Sequence, residues 1–383
     1  MYKAPLTMGI EEEYMIVDPQ TRELTSYNVP LLEDAKAILE LNMMSELLQC
    51  QIEVATTVCQ NIKEAREQIT WIRRTVAELA TNHGVAIAAV GTHPFSKWKD
   101  QKISPFERYM YYEGIAGHTA LSMVASSMHV HVGFGKSPEA FALMIDVYNQ
   151  MRYILPHLLA LSTSSPFWEG DDTQLKSYRY TQMLHPPMFR LPPIFDSYSD
   201  YENYIRLLNK VGGFVTGGLD ATMLWWYVRP RQDLGTLEVR IADMCTTIDE
   251  TISIAALIQT FVAYFIKLRE QGKSWHVFPN HLISSNLWRA QRFGIEGKMI
   301  DFEKEIEVDT RTLMRDNLST LEETAQELGT LEELQHINTI LEHGTSADRQ
   351  RAVYRQSLAT GASQEDAIIK VVDHLIAETN SGL

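Results

Sequence analysis

The sequence has few cysteines, few basic residues and no long uninterrupted apolar run, and each shortage excludes a class of protein. Its 383 residues include only three cysteines, Cys50, Cys59 and Cys245, without a CxxC spacing. This excludes a disulfide-stapled secreted module and predicts reduced, structural thiols. Lys and Arg number 34 against 49 Asp and Glu, so the formal charge of −15 leaves no basic footprint for nucleic acid. The most apolar run, Ile252 to Leu268, is interrupted by polar residues and predicts a buried helix instead of a membrane span.

The N-terminal segment lacks the apolar stretch of a secretory signal peptide, because the glutamates at 11–13 follow a short start. We therefore expect a cytoplasmic protein that has neither a membrane nor a nucleic acid as a partner. Dimers are the commonest soluble assemblies, so we expect a homo-oligomer, with a dimer as the simplest form.

Hydrophobic periodicity predicts a mixed α/β (α+β) fold with a mainly antiparallel sheet and a helical C-terminal part. Short alternating segments predict strands at 8–18, 51–58, 85–90, 128–134, 222–228 and 236–242. Helices are predicted at 31–48, at 61–82, at 141–161 with Pro156 kinking or dividing it, and everywhere after Thr251. No linker or repeat interrupts the chain, so we expect one catalytic domain over 1–383, mostly helical from 251 to 383.

Carboxylates and imidazoles occupy one face of several of these strands. Side chains alternate along a strand, so Glu11 and Glu13 share a face while Glu12 points to the other. Glu53, the pair His129 and His131, and the pair Glu238 and Arg240 follow the same pattern on three further segments. One such pattern is typical of a half-solvated strand, but four together indicate a site.

Converging carboxylates need a counter-ion, because they cannot all remain ionised beside one another. Hard oxygen ligands favour Mg²⁺ or Mn²⁺, and Mg²⁺ with coordination positions left for phosphate is typical of ATP-dependent enzymes. Zinc is disfavoured, since the pattern offers no cysteine ligand. Two alternatives stay open: a metal-dependent hydrolase that uses the HxH pair in a TIM-like fold, and a non-catalytic protein that binds nucleotides or amino acids.

Several motifs, in a fixed order over residues 8–300, carry a resemblance to a known family. They are Gly9 to Glu13, Glu53 in IEVATTVC, GTHPF at 91–95, ERY at 107–109, HVHVG at 129–133, Gly170 with Asp172 and Thr173, Ser177 with Arg179, Arg229-Pro230, and GTLEVRIAD at 235–243. Together they resemble the carboxylate–amine ligases of the glutamate–cysteine ligase type 2 (YbdK-like) family.

The resemblance implies a glutamine synthetase-like fold, in which helices cover a curved, mainly antiparallel sheet that holds ATP and Mg²⁺. It also implies that an amino-acid carboxylate, expected to be the γ-carboxylate of glutamate, is joined to an amine such as cysteine. The acid would be activated as an acyl phosphate, and ADP and phosphate would be released. The small-molecule partners are therefore an amino acid, an amine and ATP.

Site residues follow from the resemblance position by position. It implies a metal site of Glu11, Glu13, Glu53, His129 and Glu238, nucleotide contacts from Arg240, Glu238 and His131, substrate contacts from Arg179 and Arg229, and catalytic roles for Glu53 and Arg240. His129 could instead only hydrogen-bond, Arg179 could bond Asp171 or Asp172 at the surface, and Arg229 could bond Asp233. The sequence departs from the family at Tyr227, where an aspartate is usual, and at Ser127 and Met128.

Overall fold

One antiparallel sheet organises the part of the chain that carries the predicted site. The computed structural model describes residues 3–38, 42–184, 189–211 and 224–383. The sheet has seven strands: β1 (Met8–Val17), β2 (Asn42–Ser45), β3 (Gln51–Ala55), β4 (Ala86–Ala88), β5 (Met128–Gly133), β8 (Val228–Arg231) and β9 (Thr236–Val239). Their order is β2-β3-β1-β5-β9-β8, with β4 also paired to β1, and every pair is antiparallel.

Helices follow and separate these strands. They are α1 (Asn28–Ala35), α2 (Ile62–Asn82), α3 (Glu107–Ala116), α4 (His118–Leu121), α5 (Pro138–Ser162), α6 (Tyr178–Met183), α7 (Tyr198–Val211), α8 (Ile248–Glu270), α9 (Asn280–Phe293), α10 (Thr310–Leu328), α11 (Leu331–His343), α12 (Ser346–Ala359) and α13 (Gln364–Thr379). There are also two small sheets, β6 (Phe167–Trp168) with β7 (Asp171–Asp172), and β10 (Lys298–Asp301) with β11 (Ile306–Asp309).

The long helices α2, α5 and α8 pack on one side of the sheet, which we call the helix-covered face. Strand residues such as Ile10, Ile52 and Val130 point to it and are fully buried in the main hydrophobic core. Local signals fix where these helices begin. The Asn61 side chain caps α2 by accepting from two backbone amides, and Thr247 begins α8 with a capping box.

A buried ion pair lies within the helix-covered face. Glu12 accepts hydrogen bonds from Arg73 of α2, with Nη2 at 2.5 Å and Nε at 3.1 Å. The hydroxyls of Tyr14 and Thr251 also donate to Glu12, and both members of the ion pair are fully buried. Glu12 is thus neutralised and hydrogen-bonded, as a carboxylate in an apolar core must be.

Two sequence predictions about helices are wrong, and one of two alternatives for a third helix is excluded. Residues 31–48 were expected to form one helix, but α1 ends at Ala35 and Asn42–Ser45 pairs with β3, because strand pairing overrides local propensity. The C-terminal part contains the hairpin β10–β11 among its helices, so the expectation of helix everywhere after Thr251 is wrong. Helix α5 runs through Pro156 without being divided.

The predicted strand at 222–228 is also displaced, since the strand there spans Val228–Arg231. Thr222 and Met223 lie outside the described residues. The hydrolase alternative expected a TIM-like alternation of parallel strands, and the antiparallel order of this sheet contradicts that expectation.

The most apolar helix is part of the core. Within the described residues, α8 is long and apolar enough by composition to cross a membrane, but 78% of its most apolar window is buried inside the fold. It packs against α2, α5, α10 and α11, as a core helix does.

The last two helices return to the middle of the chain. Arg351 of α12 donates to Asp172 at 2.6 Å, and Asp348 pairs with Lys176. The Thr379 hydroxyl at the end of α13 accepts from the amide of Ala89 at 2.9 Å. The C-terminal residues therefore hold segments that precede and follow the central strands.

Candidate active site

The strand register brings the predicted carboxylates and imidazoles together on the side of the sheet opposite the helix-covered face. Residues directly paired across antiparallel strands point to the same side. The pairs are Glu13 with Glu53, Glu11 with His129, His131 with Glu238, and Glu238 with Arg229. We call this side, with these residues and Arg240, the carboxylate face.

Glu11 lies at its centre and contacts both imidazoles. Its Oε2 is 2.8 Å from His129 Nδ1, and its Oε1 is 3.1 Å from His131 Nε2. Burial raises the pKa of Glu11, but the hydrogen bonds and charges of the two histidines outweigh burial and hold that pKa well below its usual value. Burial and the Arg240 charge lower the pKa of His129, which favours the neutral imidazole that a metal requires.

Glu53 faces other carboxylates. Burial, and then the charges of Glu46, Glu11 and Glu13, raise its pKa well above the usual value. Glu53 shares a side-chain hydrogen bond with Glu46. Burial and the Glu13 charge raise the pKa of Glu46 to about 7. These carboxyl groups therefore form a buried acidic cluster that a divalent cation could neutralise.

Glu46 was missed by the sequence predictions. It lies just after β2, in a stretch that was expected to be helical, seven positions before Glu53. The signal that could have found it is the short β2–β3 hairpin, which folds this carboxylate back beside Glu53.

Glu13 was predicted as a metal ligand, and its two oxygens already accept hydrogen bonds. The amide of Ser127 donates to Oε2 at 2.7 Å, and the Ser127 hydroxyl donates to Oε1 at 2.8 Å. The same hydroxyl lies 2.9 Å from His129 Nε2. Ser127, one of the departures from the family pattern, thus joins Glu13 to His129, and a metal-binding role for Glu13 stays a prediction.

Glu238 lies at the other end of the face among arginines. It is fully buried and accepts from Arg229 Nε at 2.5 Å, and Arg240 also donates to it. Burial raises the pKa of Glu238, but the charges of Arg240 and Arg229 outweigh this effect and hold it well below the usual value. Arg229 bonds Glu238 and not Asp233, which instead pairs with Arg231 at 2.7 Å.

Arg179 contacts the main chain just after the end of β9. It is 3% exposed and belongs to α6, so the alternative of a surface arginine bonded to Asp171 or Asp172 is wrong. Its guanidinium donates to the main-chain oxygens of Ile241 at 3.0 Å and Arg240 at 3.1 Å. A substrate-binding role for Arg179 stays a prediction.

Tyr227, which replaces the usual aspartate, is buried beside Arg240. Its main-chain oxygen accepts from the Arg240 amide at 2.8 Å, and its ring packs against Tyr180 of α6 with centroids 5.4 Å apart. In this chain the position therefore supplies aromatic packing between α6 and the sheet instead of a negative charge.

Two groups of side chains on the carboxylate face could each hold a metal ion. One consists of Glu11, Glu53 and His129, the other of Glu11, His131 and Glu238, and within each group the ligand atoms lie within 4.8 Å of one another. Glu11 belongs to both groups. Three carboxylates with two imidazoles form a donor set that suits Mg²⁺ or Mn²⁺.

Known proteins match the chain over almost its whole length. The model of the family described as "Glutamate-cysteine ligase family 2(GCS2)" matches residues 7–374. A protein of Roseiflexus castenholzii named "Putative glutamate--cysteine ligase 2" is 41% identical over 379 residues, which cover 99% of this chain and 96% of that protein. A protein of the same name from Solibacter usitatus is 40% identical over 380 residues, 99% of this chain and 94% of that protein.

Solved structures show the same fold. The glutamate–cysteine ligase of Francisella tularensis, solved in complex with AMP, matches with a TM-score of 0.68 and 14% identity over all of this chain and 90% of that one. A bifunctional glutathione synthetase from Pasteurella multocida matches with a TM-score of 0.66 and 14% identity over 98% of this chain and 52% of that one. The predicted glutamine synthetase-like fold class is thereby confirmed. The chain belongs to glutamate–cysteine ligase family 2 and is an ATP-dependent ligase.

Proposed function

We propose that the protein joins the carboxylate of an amino acid to an amine, with Mg²⁺ and ATP bound on the carboxylate face. The single observation that carries this proposal is the convergence of Glu11, Glu53 and Glu238, from three separate strands, on one side of the sheet. Family membership supports glutamate as the acid, bonded through its γ-carboxylate, and cysteine as the first amine to test.

The metal-binding roles follow from the two groups of ligands. Glu11, Glu53 and His129 would hold one ion, and Glu11, His131 and Glu238 would hold a second. In this proposal His131, which was expected at the nucleotide, would also be a metal ligand. Glu46 adds a carboxylate beside Glu53 and extends the first group.

Bound ATP would supply the phosphoryl group that activates the acid as an acyl phosphate, and bound Mg²⁺ would neutralise its charge. This chain's residues orient the partners. Arg240 presents a guanidinium beside Glu238 and His129, where it can pair with phosphoryl oxygens. The nearly complete burial of Glu238 and His131 limits water around the reacting groups, which strengthens these electrostatic contacts.

We also propose that residues 1–383 act as a single catalytic domain in the cytoplasm and assemble as a homo-oligomer. The main hydrophobic core supports the single domain, because it includes Ile10 of β1, Val239 of β9 and Leu341 of α11.

A coupled assay of ADP release tests the function. Purified protein is supplied with ATP, Mg²⁺, glutamate and a panel of amines that includes cysteine, each component being omitted in turn. We expect ADP release that requires Mg²⁺, the acid and the amine together. Absence of ADP release across a broad panel of acids and amines would overturn the proposal.

The same measurements test the non-catalytic alternative. ATP binding without turnover on any substrate would support a protein that only binds nucleotides or amino acids.

A further inference from the structure

A second arginine, Arg179, hydrogen-bonds the backbone at Arg240. Arg179 Nη2 donates to the main-chain oxygen of Arg240 and Nη1 to that of Ile241. These bonds lie directly after β9 ends at Val239, and the Arg240 amide donates to the main-chain oxygen of Tyr227 at 2.8 Å. Arg179 therefore fixes the carbonyl side of Arg240, while Tyr227 fixes its amide side.

Arg179 is in turn fixed by a buried aspartate. Asp243 is fully buried and accepts from the Ser165 hydroxyl and the Ser177 hydroxyl, both at 2.7 Å, and from the Ser164 amide at 3.0 Å. One Asp243 oxygen lies 3.6 Å from Arg179 Nη1. Asp243 thus lies beside the guanidinium and hydrogen-bonds the segment at Ser164 and Ser165 and the segment at Ser177.

The two serines connect this aspartate to α6. The Ser177 hydroxyl caps α6 by accepting from the amide of Tyr180 at 3.2 Å, and the Ser165 hydroxyl accepts from the amide of Arg179 at 3.0 Å. Gly91 packs against the same cluster, and a Cβ there would lie 3.0 Å from both Asp243 and Ser165. Each of these residues therefore contributes to one fixed placement of Arg179.

We propose that Arg179 is a positioning residue, held by Asp243, which orients Arg240 toward the transferring phosphoryl group and does not itself bind the acid substrate. The inference rests on the proposed function, because it assumes that Arg240 meets phosphate. A displacement of about 1 Å at a reacting group can lower a rate about 100-fold, so holding the Arg240 backbone matters for the chemistry. Lysine cannot replace Arg179, since one ammonium cannot reproduce the planar fork that spans two carbonyls.

The test compares Arg179→Lys with Arg240→Lys, with the double variant and with Arg351→Lys. Arg351 is the matched control, because it is a buried arginine that bonds Asp172 and the main-chain oxygen of Leu175 but none of the residues around Arg240. Calorimetry gives the Kd of AMP-PNP, a non-hydrolysable ATP analogue, and of AMP, both with Mg²⁺. Steady-state kinetics give kcat and the KM for the acid.

We expect Arg179→Lys and Arg240→Lys each to weaken AMP-PNP about tenfold, the change that 1.4 kcal/mol produces. AMP, which lacks the γ-phosphate, should bind within about twofold of wild type. The double variant should be no weaker than either single variant, since residues that act through one another are not additive. Arg179→Lys should lower kcat and leave the KM for the acid unchanged, and Arg351→Lys should behave as wild type.

Asp243→Asn keeps the shape of the cluster and should reproduce the Arg179→Lys pattern; thermal unfolding shows whether each variant is folded. A raised KM for the acid with unchanged AMP-PNP binding would overturn the inference and assign Arg179 to the substrate. Equal losses of AMP-PNP affinity and kcat in Arg351→Lys and Arg179→Lys would also overturn the inference, because they would show that any buried arginine matters equally. If wild type released no ADP on any substrate, the proposed function would fail, but the AMP-PNP measurements would still decide the role of Arg179.

Discussion

The two faces of the sheet bury carboxylates in opposite ways. On the helix-covered face, Glu12 receives a guanidinium and two hydroxyls and is fully neutralised. On the carboxylate face, Glu53 meets Glu46 and other acids, and its pKa rises because burial and like charges oppose ionisation. Glutamates of two paired strands therefore serve stability on one side of the sheet, and on the other leave a deficit of positive charge that a metal can fill.

The largest expected effect is on activity at the unneutralised face. Glu53→Gln should lower ADP release by more than about 100-fold, since even indirect partners of metal ligands are worth 10- to 100-fold. Its unfolding free energy should be unchanged or higher, because the substitution removes a carboxylate that like charges already disfavour. A coupled ADP assay and denaturant unfolding measure the two quantities, and retention of activity would contradict the comparison.

The second effect concerns stability at the neutralised face. Glu12→Gln leaves the Arg73 guanidinium buried without its counter-ion, so we expect the free energy of unfolding to fall by about 3–5 kcal/mol. Urea unfolding measures this loss. Glu23→Gln, at an exposed position, is the control and should change the free energy of unfolding by less than about 0.5 kcal/mol. If Glu12→Gln lost no more unfolding free energy than Glu23→Gln, the proposed difference between the helix-covered face and the carboxylate face would be wrong.

A third test uses the metal itself. Mg²⁺ at 100 times its Kd should raise the free energy of unfolding of the wild type by about 2.7 kcal/mol through mass action. Glu11→Gln removes a ligand common to both groups, so the same Mg²⁺ concentration should stabilise it far less. Thermal unfolding with and without EDTA provides the measurement, and equal stabilisation of both proteins would place the ions elsewhere.

The smallest effect is a pH dependence of the metal-free protein. The Glu46 pKa rises to about 7 from a usual 4.5, so the folded state holds a proton that the unfolded state has released in this interval. Stability should therefore be highest below about pH 4.5 with respect to this group, and should fall by about 1–3 kcal/mol as pH rises through about 7. Unfolding curves of Glu46→Gln, recorded in EDTA, should not show this loss of stability with rising pH. A pH profile identical to that of the wild type would contradict the raised pKa of Glu46.

Strand alternation was enough to predict which side chains share a face. The period of two assigns Glu11, Glu13 and Glu53 to the polar side and Glu12 to the other, without knowledge of the strand order. Partners across strands depend on register, which short patterns do not determine. The sequence therefore left open whether Arg229 bonds Asp233. The β8–β9 pairing sets Arg229 opposite Glu238, and the two form an ion pair.

The missed residues have physical reasons as well. Glu46 follows a four-residue strand in a stretch whose composition favours a helix, so tertiary pairing with β3 decided its conformation. The Asp243 cluster is formed by residues about 80 positions apart, and no local pattern reports such a contact.

The contacts of α12 and α13 have a consequence for the order in which a ribosome could complete this protein. Asp172 pairs with Arg351 of α12, Lys176 pairs with Asp348 of α12 as well as with Glu296, and the amide of Ala89 donates to the Thr379 hydroxyl of α13. Because a domain folds as a unit, the nascent chain would carry the acidic strands before helices α12 and α13 are present to complete the fold. Ligase activity should accordingly arise after the last turn of α13 has left the exit tunnel.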